Sequence, residues 1–125
     1  MKRIICSPEA PAAVGPYSQA IEAGGTLYVS GQLPLVPATG EMPEGIEAQA
    51  RCSLQNIRSI LAEAGLTMDN IIKTVVFIKN MDDFAKVNAI YSEFICGEIL
   101  PARSCVEVAR LPKDALVEIE AIAVR

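Results

Sequence analysis

Histidine is absent from the chain. That removes a Ser-His-Asp triad, a Cys-His pair, every His-containing zinc site and an imidazole general base. Tryptophan is absent too, and aromatic residues make up only 5%. The four cysteines, Cys6, Cys52, Cys96 and Cys105, lie far apart and form no CxxC unit, so a structural zinc site is not expected. No apolar run approaches the length of a membrane span, and the N-terminal MKRIICSPEAP breaks at Ser7-Pro8, too early for a signal peptide. The expectation is a soluble cytoplasmic protein with reduced thiols. Positive charge is scarce: 11 Lys and Arg against 15 Asp and Glu give a net charge of -4. Together with the few aromatics, this argues against a nucleic-acid surface.

What is present fits one folding unit. At 125 residues and 51% hydrophobic, residues 1–125 read as a single domain with one core. Residues 17–23 and 26–31 flank Gly24-Gly25, the signature of a hairpin with a two-residue turn. Pairing Ala23 with Thr26 sets Ile21 against Tyr28, Gln19 against Ser30 and Tyr17 against Gln32. Strand alternation then gathers Tyr17, Gln19, Ile21, Tyr28 and Ser30 on one face, with Leu27 and Val29 on the other. The Pro/Gly-rich stretch 33–45 reads as a loop.

Residues 46–64 carry apolar side chains at steps of three and four, which predicts a helix stopped by Gly65. The run 71–78 (IIKTVVFI) predicts a strand covered on both faces. Residues 80–95 predict a second helix capped by Asn80, with Phe84, Val87, Tyr91 and Phe94 as its apolar stripe. Asn88 borders that stripe, either as a solvated edge residue or as a site residue. Strands over 102–109 and 115–124, with a short one near 3–6, complete an α+β chain: mixed strands with two helices on one face of a sheet.

The last two strands hold the candidate chemistry. Arg103, Cys105 and Glu107 share a face in one. In the other, Val117, Ile119, Ala121 and Ala123 form an apolar face, and Glu118 and Glu120 point away from it beside Leu116, Ile122 and Val124. So few charges on a sheet face predict burial against another subunit. Strand alternation is read as placing Glu118 on the Arg103 side. Arg103 with Glu118 or Glu120 is then either an interface ion pair or a site for a small carboxylate. Cys105 is either a nucleophile activated by Arg103 or a pocket-lining thiol.

The run PARSCVEVARLPKDALVEIEAIAVR, residues 101–125, resembles the C-terminal signature of the RidA (YjgF) family, the reactive-intermediate deaminases. AVGPYSQAI (13–21), YVSGQLPLVPATGE (28–41), QARCSLQNIRSILAEAG (49–65) and KTVVFIKNMDDFAKVNAIY (73–91) match it in the family's order. The resemblance implies a chorismate-mutase-like fold and a homotrimer with a central β-barrel, outer helices and sites at the subunit interfaces. It implies cofactor-free, metal-free hydrolysis of 2-imino acids such as 2-iminobutanoate and 2-iminopropanoate, which PLP-dependent dehydratases release, to 2-oxo acids and ammonia. By residue, it implies that Arg103 binds the substrate carboxylate and Glu118 directs the water. Tyr17, Ser30 and Asn88 would line the site, and the backbone at Cys105 would hold the imine nitrogen. The connection CGEIL, residues 96–100, is short beside many family members and adjoins that site. The alternatives are a Rid subgroup with another substrate, a nucleic-acid-acting relative, and a non-catalytic carboxylate-binding or holdase-like trimer.

Overall fold

The computed structural model describes all 125 residues. The chain opens with β1 (Lys2–Ile5), which pairs antiparallel with β2 (Ala20–Ala23). Gly24 and Gly25 reverse the chain at positive φ, 57° and 78°, which glycine adopts without steric cost. β3 (Thr26–Gln32) then runs back along β2, with Ala23 opposite Thr26 and Ile21 opposite Tyr28, the register expected. The ladder ends at Ala20–Val29. Beyond it, Ser30 N–H still donates to the Gln19 carbonyl (2.9 Å), but Tyr17 and Gln32 do not pair. β3 is irregular between Val29 and Gln32, so Gln32 comes to oppose Ile119 instead. Gln19 leaves the face assigned to it. Its side chain is buried, accepting from Ser7 N–H (2.7 Å) and donating to the Pro11 carbonyl (2.8 Å), and so pins the N-terminal segment.

Helix α1 (Ile46–Glu63) follows the loop, and Gly65 at φ 74° terminates it. β4 (Ile71–Ile78) has the predicted bounds. Asn80 accepts from Asp82 N–H ahead of a short 3₁₀ turn, Met81–Asp83, which leads into α2 (Phe84–Phe94). β5 (Ala102–Glu107) and β6 (Val117–Val124) close the chain, each shorter than the sequence pattern suggested. The six strands lie in the order β1-β2-β3-β6-β4-β5, with β4 and β5 parallel and both β1 and β5 left as edges.

The core sits between one sheet face and α1 and α2. Leu27, Val29, Val76, Ile78, Val117, Ile119, Ala121 and Ala123 meet Leu54, Ile57, Ile60 and Leu61 there. The other face is only half covered. Along it Ile4, Tyr28 and Val106 are 42–67% exposed, beside Glu118 and Glu120. β4 is therefore packed on one face within this chain, not on both: Thr74, Val76 and Ile78 are buried, whereas Val75 and Phe77 stay partly open. Leu116, assigned by pattern to the open face, precedes β6 and packs against the core.

Candidate active site

Two half-sites occupy opposite faces of the sheet. In β5, Arg103 is the register partner of Thr74, whose side chain is buried beneath α2. Alternation keeps Cys105 and Glu107 on that same face. Cys105 packs against the core, and the Glu107 carboxylate accepts from Met81 N–H (2.8 Å) at the entry to α2. Arg103 thus points at α2. Its Nη1 donates to Asn88 Oδ1 at 2.6 Å, and its guanidinium carbon lies over two rings, 4.8 Å from the Tyr91 centroid and 5.4 Å from Phe84. Phe84, Asn88 and Tyr91 recur at steps of four and three, so one helix face supplies all three contacts. The surrounding cleft, about 370 Å³, is lined by the polar Asn88, Ser92 and Arg103 together with Tyr91, Ile95, Leu100 and Pro101.

The guanidinium has no carboxylate partner. The four ion pairs of the chain are Arg3–Glu22, Arg51–Glu93, Arg110–Asp114 and Arg125–Glu22. Arg103 makes a single hydrogen bond, to Asn88, so four of its five N–H groups remain for a ligand.

Glu118 is elsewhere. It pairs with Phe77 in β4, three residues from Thr74, so it faces away from α2. The reading that put Glu118 on the Arg103 side is corrected by this register, and an ion pair between the two within one chain is ruled out. Alternation within each strand leaves the relative phase of β5 and β6 open, and their common neighbour β4 sets it. Glu118 backs onto the β3 irregularity: a Cβ on Gly31 would stand 2.5 Å from Glu118 Oε2. Glycine is the residue that permits this approach. Next to it, Ser30 Oγ donates to the Ser18 carbonyl (2.6 Å), which anchors the segment carrying Tyr17. Tyr17 is itself exposed, with Val14 N–H donating to its hydroxyl (3.4 Å). The chain therefore brings Arg103 and Asn88 together, sets Glu118 beside Gly31 on the opposite face of the sheet, and ties Ser30 to the segment that carries Tyr17.

Electrostatics sorts the acids and thiols. Burial raises the Glu118 carboxyl above the usual carboxylate range, and the charge of Glu120 raises it further. Burial also pushes the Cys105 thiol up, with Arg103 pulling weakly the other way. That is the reverse of what a nucleophilic thiolate needs, and it favours the pocket-lining alternative. No three His, Cys, Asp or Glu side chains converge on one point, and no helix is long and apolar enough to cross a membrane.

Sequence reasoning missed Gly31, Thr74 and the ring contacts of Phe84 and Tyr91. A glycine inside a strand was the available signal for Gly31. Nothing in the pattern distinguished Tyr91 from an ordinary core aromatic.

The comparisons with known proteins agree with the quoted motifs. The family model described as Endoribonuclease L-PSP matches residues 7–125. The chain is 56% identical to a RutC family protein of Haemophilus influenzae, over 100% of this chain and 98% of that protein. It is 53% identical to the 2-iminobutanoate/2-iminopropanoate deaminase of Escherichia coli K12, over 100% of this chain and 99% of that one. The crystal structure of E. coli TdcF with bound serine superposes with a TM-score of 0.95 at 49% identity, covering 98% of both chains. With a family model matching nearly the whole chain and full-length relatives above half identity, this chain belongs to the RidA (YjgF) group of the endoribonuclease L-PSP family.

Proposed function

We propose that this protein hydrolyses reactive 2-imino acids to 2-oxo acids and ammonia, without a cofactor, at sites shared between the subunits of a homotrimer. The observation that carries the reading is the Arg103 guanidinium, stacked on aromatic rings, held at one edge by Asn88 and left without an anionic partner. A planar fork in that state is built to take a carboxylate through two parallel N–H···O bonds. The named activity of the E. coli relative supplies the substrate class.

The trimer follows from the division of the site. Glu118 stands on the open sheet face, where exposed Tyr28 and Val106 make a patch that a second copy would cover. Packing that face against the edge of a neighbouring copy would bring the Glu118 group of one chain to the Arg103 group of the next. A rotationally symmetric ring repeats such a contact and closes on itself. A central barrel with outer helices is the assembly this predicts.

In the reaction, Arg103 and Asn88 orient the substrate through its carboxylate. The main chain at Cys105, on the edge strand β5, holds the imine nitrogen. The partly buried Glu118 carboxylate takes a proton as water adds to the imine carbon, forming a C–O bond while the C=N π pair moves to nitrogen. Glu118 returns its proton to nitrogen to complete the carbinolamine; collapse then makes C=O, breaks C–N and passes the hydroxyl proton by way of Glu118 to the leaving nitrogen, which departs as ammonia. The imine carbon is already electrophilic, so orientation and one base suffice.

The test is a coupled assay. A PLP-dependent threonine dehydratase generates 2-iminobutanoate in situ, and 2-oxobutanoate formation is followed with and without this protein. Acceleration is expected. Tight binding of 2-oxobutanoate with no acceleration would instead establish a carboxylate-binding trimer. Light scattering that gave the mass of a single chain would reject the shared site.

A further inference from the structure

Beneath Arg103 lies a buried polar pair with no role in the chemistry above. Thr74 Oγ1 and the Tyr91 hydroxyl are 2.7 Å apart, and both residues are at most 7% exposed. The neighbours of Thr74 along the buried face of β4 are Val76 and Ile78, and α2 presents Val87 and Ile90 beside Tyr91. An aliphatic residue would fill the Thr74 position without the desolvation that a hydroxyl incurs. The pair therefore calls for an explanation other than packing.

Its placement gives one. Thr74 is the register partner of Arg103 on the adjacent strand, and Tyr91 is the nearer of the two rings under the guanidinium. Val87 and Ile90 bring α2 into the core by apolar contact, and a directional tie to the sheet is added at this point. The Thr74–Tyr91 bond is that tie. It joins the helix that carries Asn88 and the ring to the strand beside the one that carries Arg103.

We propose that the Thr74–Tyr91 hydrogen bond is a positioning device: it fixes the Tyr91 ring, and through it the plane of the Arg103 guanidinium, so that the free edge meets a carboxylate in bidentate geometry. Asn88 alone restrains one nitrogen and leaves the plane free to tilt about that bond. The ring beneath removes the tilt, and the hydroxyl anchors the ring. Thr74 is outside the cleft lining, and Tyr91 joins that lining beside Arg103, so the bond between their hydroxyls acts on Arg103 through the ring. The inference rests on Arg103 as the carboxylate anchor.

The decisive variant is the double substitution Thr74→Val/Tyr91→Phe. It removes the bond, keeps the ring and orphans no polar group, so the fold should persist. Two readouts are taken: titration of 2-oxobutanoate, and the Arg103 Nε–H resonance in ¹⁵N spectra. The double variant should bind 2-oxobutanoate on the order of tenfold more weakly, with KM rising more than kcat falls. Its Arg103 Nε–H signal should broaden or move towards that of a free arginine. Thr74→Ser should restore what Thr74→Val loses, because the hydroxyl is retained. Tyr91→Phe alone gives the same comparison if the double variant does not fold. Unchanged affinity together with an unchanged Arg103 resonance would overturn the proposal. A wild-type protein that fails to bind 2-oxobutanoate, yet whose Arg103 signal changes in the double variant, would remove the deaminase reading and leave the positioning device standing.

Discussion

The two faces of the sheet use their polar groups in opposite ways. On the α2 side, exposed Arg103 is held from one side: Asn88 at one edge, Tyr91 and Phe84 beneath, and Thr74 behind Tyr91. On the open side, Glu118 and Glu120 stand near each other with no cation against them, and exposed Tyr28 and Val106 continue the face. One half-site is finished within the chain and lacks only an anion. The other is unfinished and lacks a covering surface. The difference teaches that one copy of the chain carries Arg103 and Glu118 on opposite faces of its sheet and cannot join them; the proposed reaction divides them between binding and proton transfer.

Removing the unfinished half should cost most. Glu118→Gln keeps the shape and removes the basicity, so turnover should fall on the order of a hundredfold or more, while binding of 2-oxobutanoate survives on Arg103. Steady-state kinetics with product titration reads both. Loss of binding and of assembly together would make Glu118 an interface ion-pair residue.

Next in size is Arg103→Lys, which keeps the charge and loses the fork. KM should rise on the order of tenfold or more, the scale of one charge-assisted hydrogen bond, with the assembly unchanged in light scattering. Near-normal kinetics would show that the guanidinium serves structure alone.

A smaller effect separates the two acids. The raised Glu118 carboxyl must be ionised to accept a proton, so the acid limb of the kcat–pH profile should lie above the ordinary carboxylate range. Glu120→Gln removes the secondary cause of that shift and should move the limb to lower pH, leaving the share due to burial. Stability follows the same sign. The contribution of Glu118 is present below the ordinary carboxylate pKa and is lost as pH rises through the raised one, so Glu120→Gln should relieve part of that loss in thermal melts near neutral pH. The smallest change is expected from Cys105→Ser, within about threefold of normal turnover, because a thiol pushed up by burial is not a nucleophile at neutral pH. Complete inactivation of a folded Cys105→Ser protein would reopen the thiolate route.

Elements whose side-chain period matches their packing were legible in the sequence. α1 and β4 are long or strongly β-branched and emerged with nearly the expected bounds, and the Gly24-Gly25 turn set the β2–β3 register. The motif match singled out Arg103, Asn88, Tyr17, Ser30 and Glu118 as one set, but it could not say that Arg103 and Glu118 face apart. That depends on strand order, which is non-local: β5 and β6 are both neighbours of β4, and residue offsets across β4 decide which side chains share a face. Gln19 was misplaced for a local reason. The paired strand ends at Ala20, and before it the chain turns the Gln19 amide inward to satisfy backbone groups of residues 7–11. The Thr74–Tyr91 pair was invisible because both residues suit their elements on packing grounds alone.

The claim that one site draws Arg103 from one chain and Glu118 from another is tested most directly by mixing two impaired variants and assaying them at substrate well below KM, where a raised KM lowers the rate. Arg103→Lys and Glu118→Gln proteins are unfolded together in equal amounts and refolded, and deaminase activity is compared with that of each variant refolded alone. In a cyclic trimer with head-to-tail interfaces, each interface has a one-in-two chance of receiving the intact arginine and a one-in-two chance of receiving the intact glutamate, so about a quarter of wild-type activity should return. Activity no higher than the average of the two separate variants would mean that both residues serve a site within one chain, which contradicts the account.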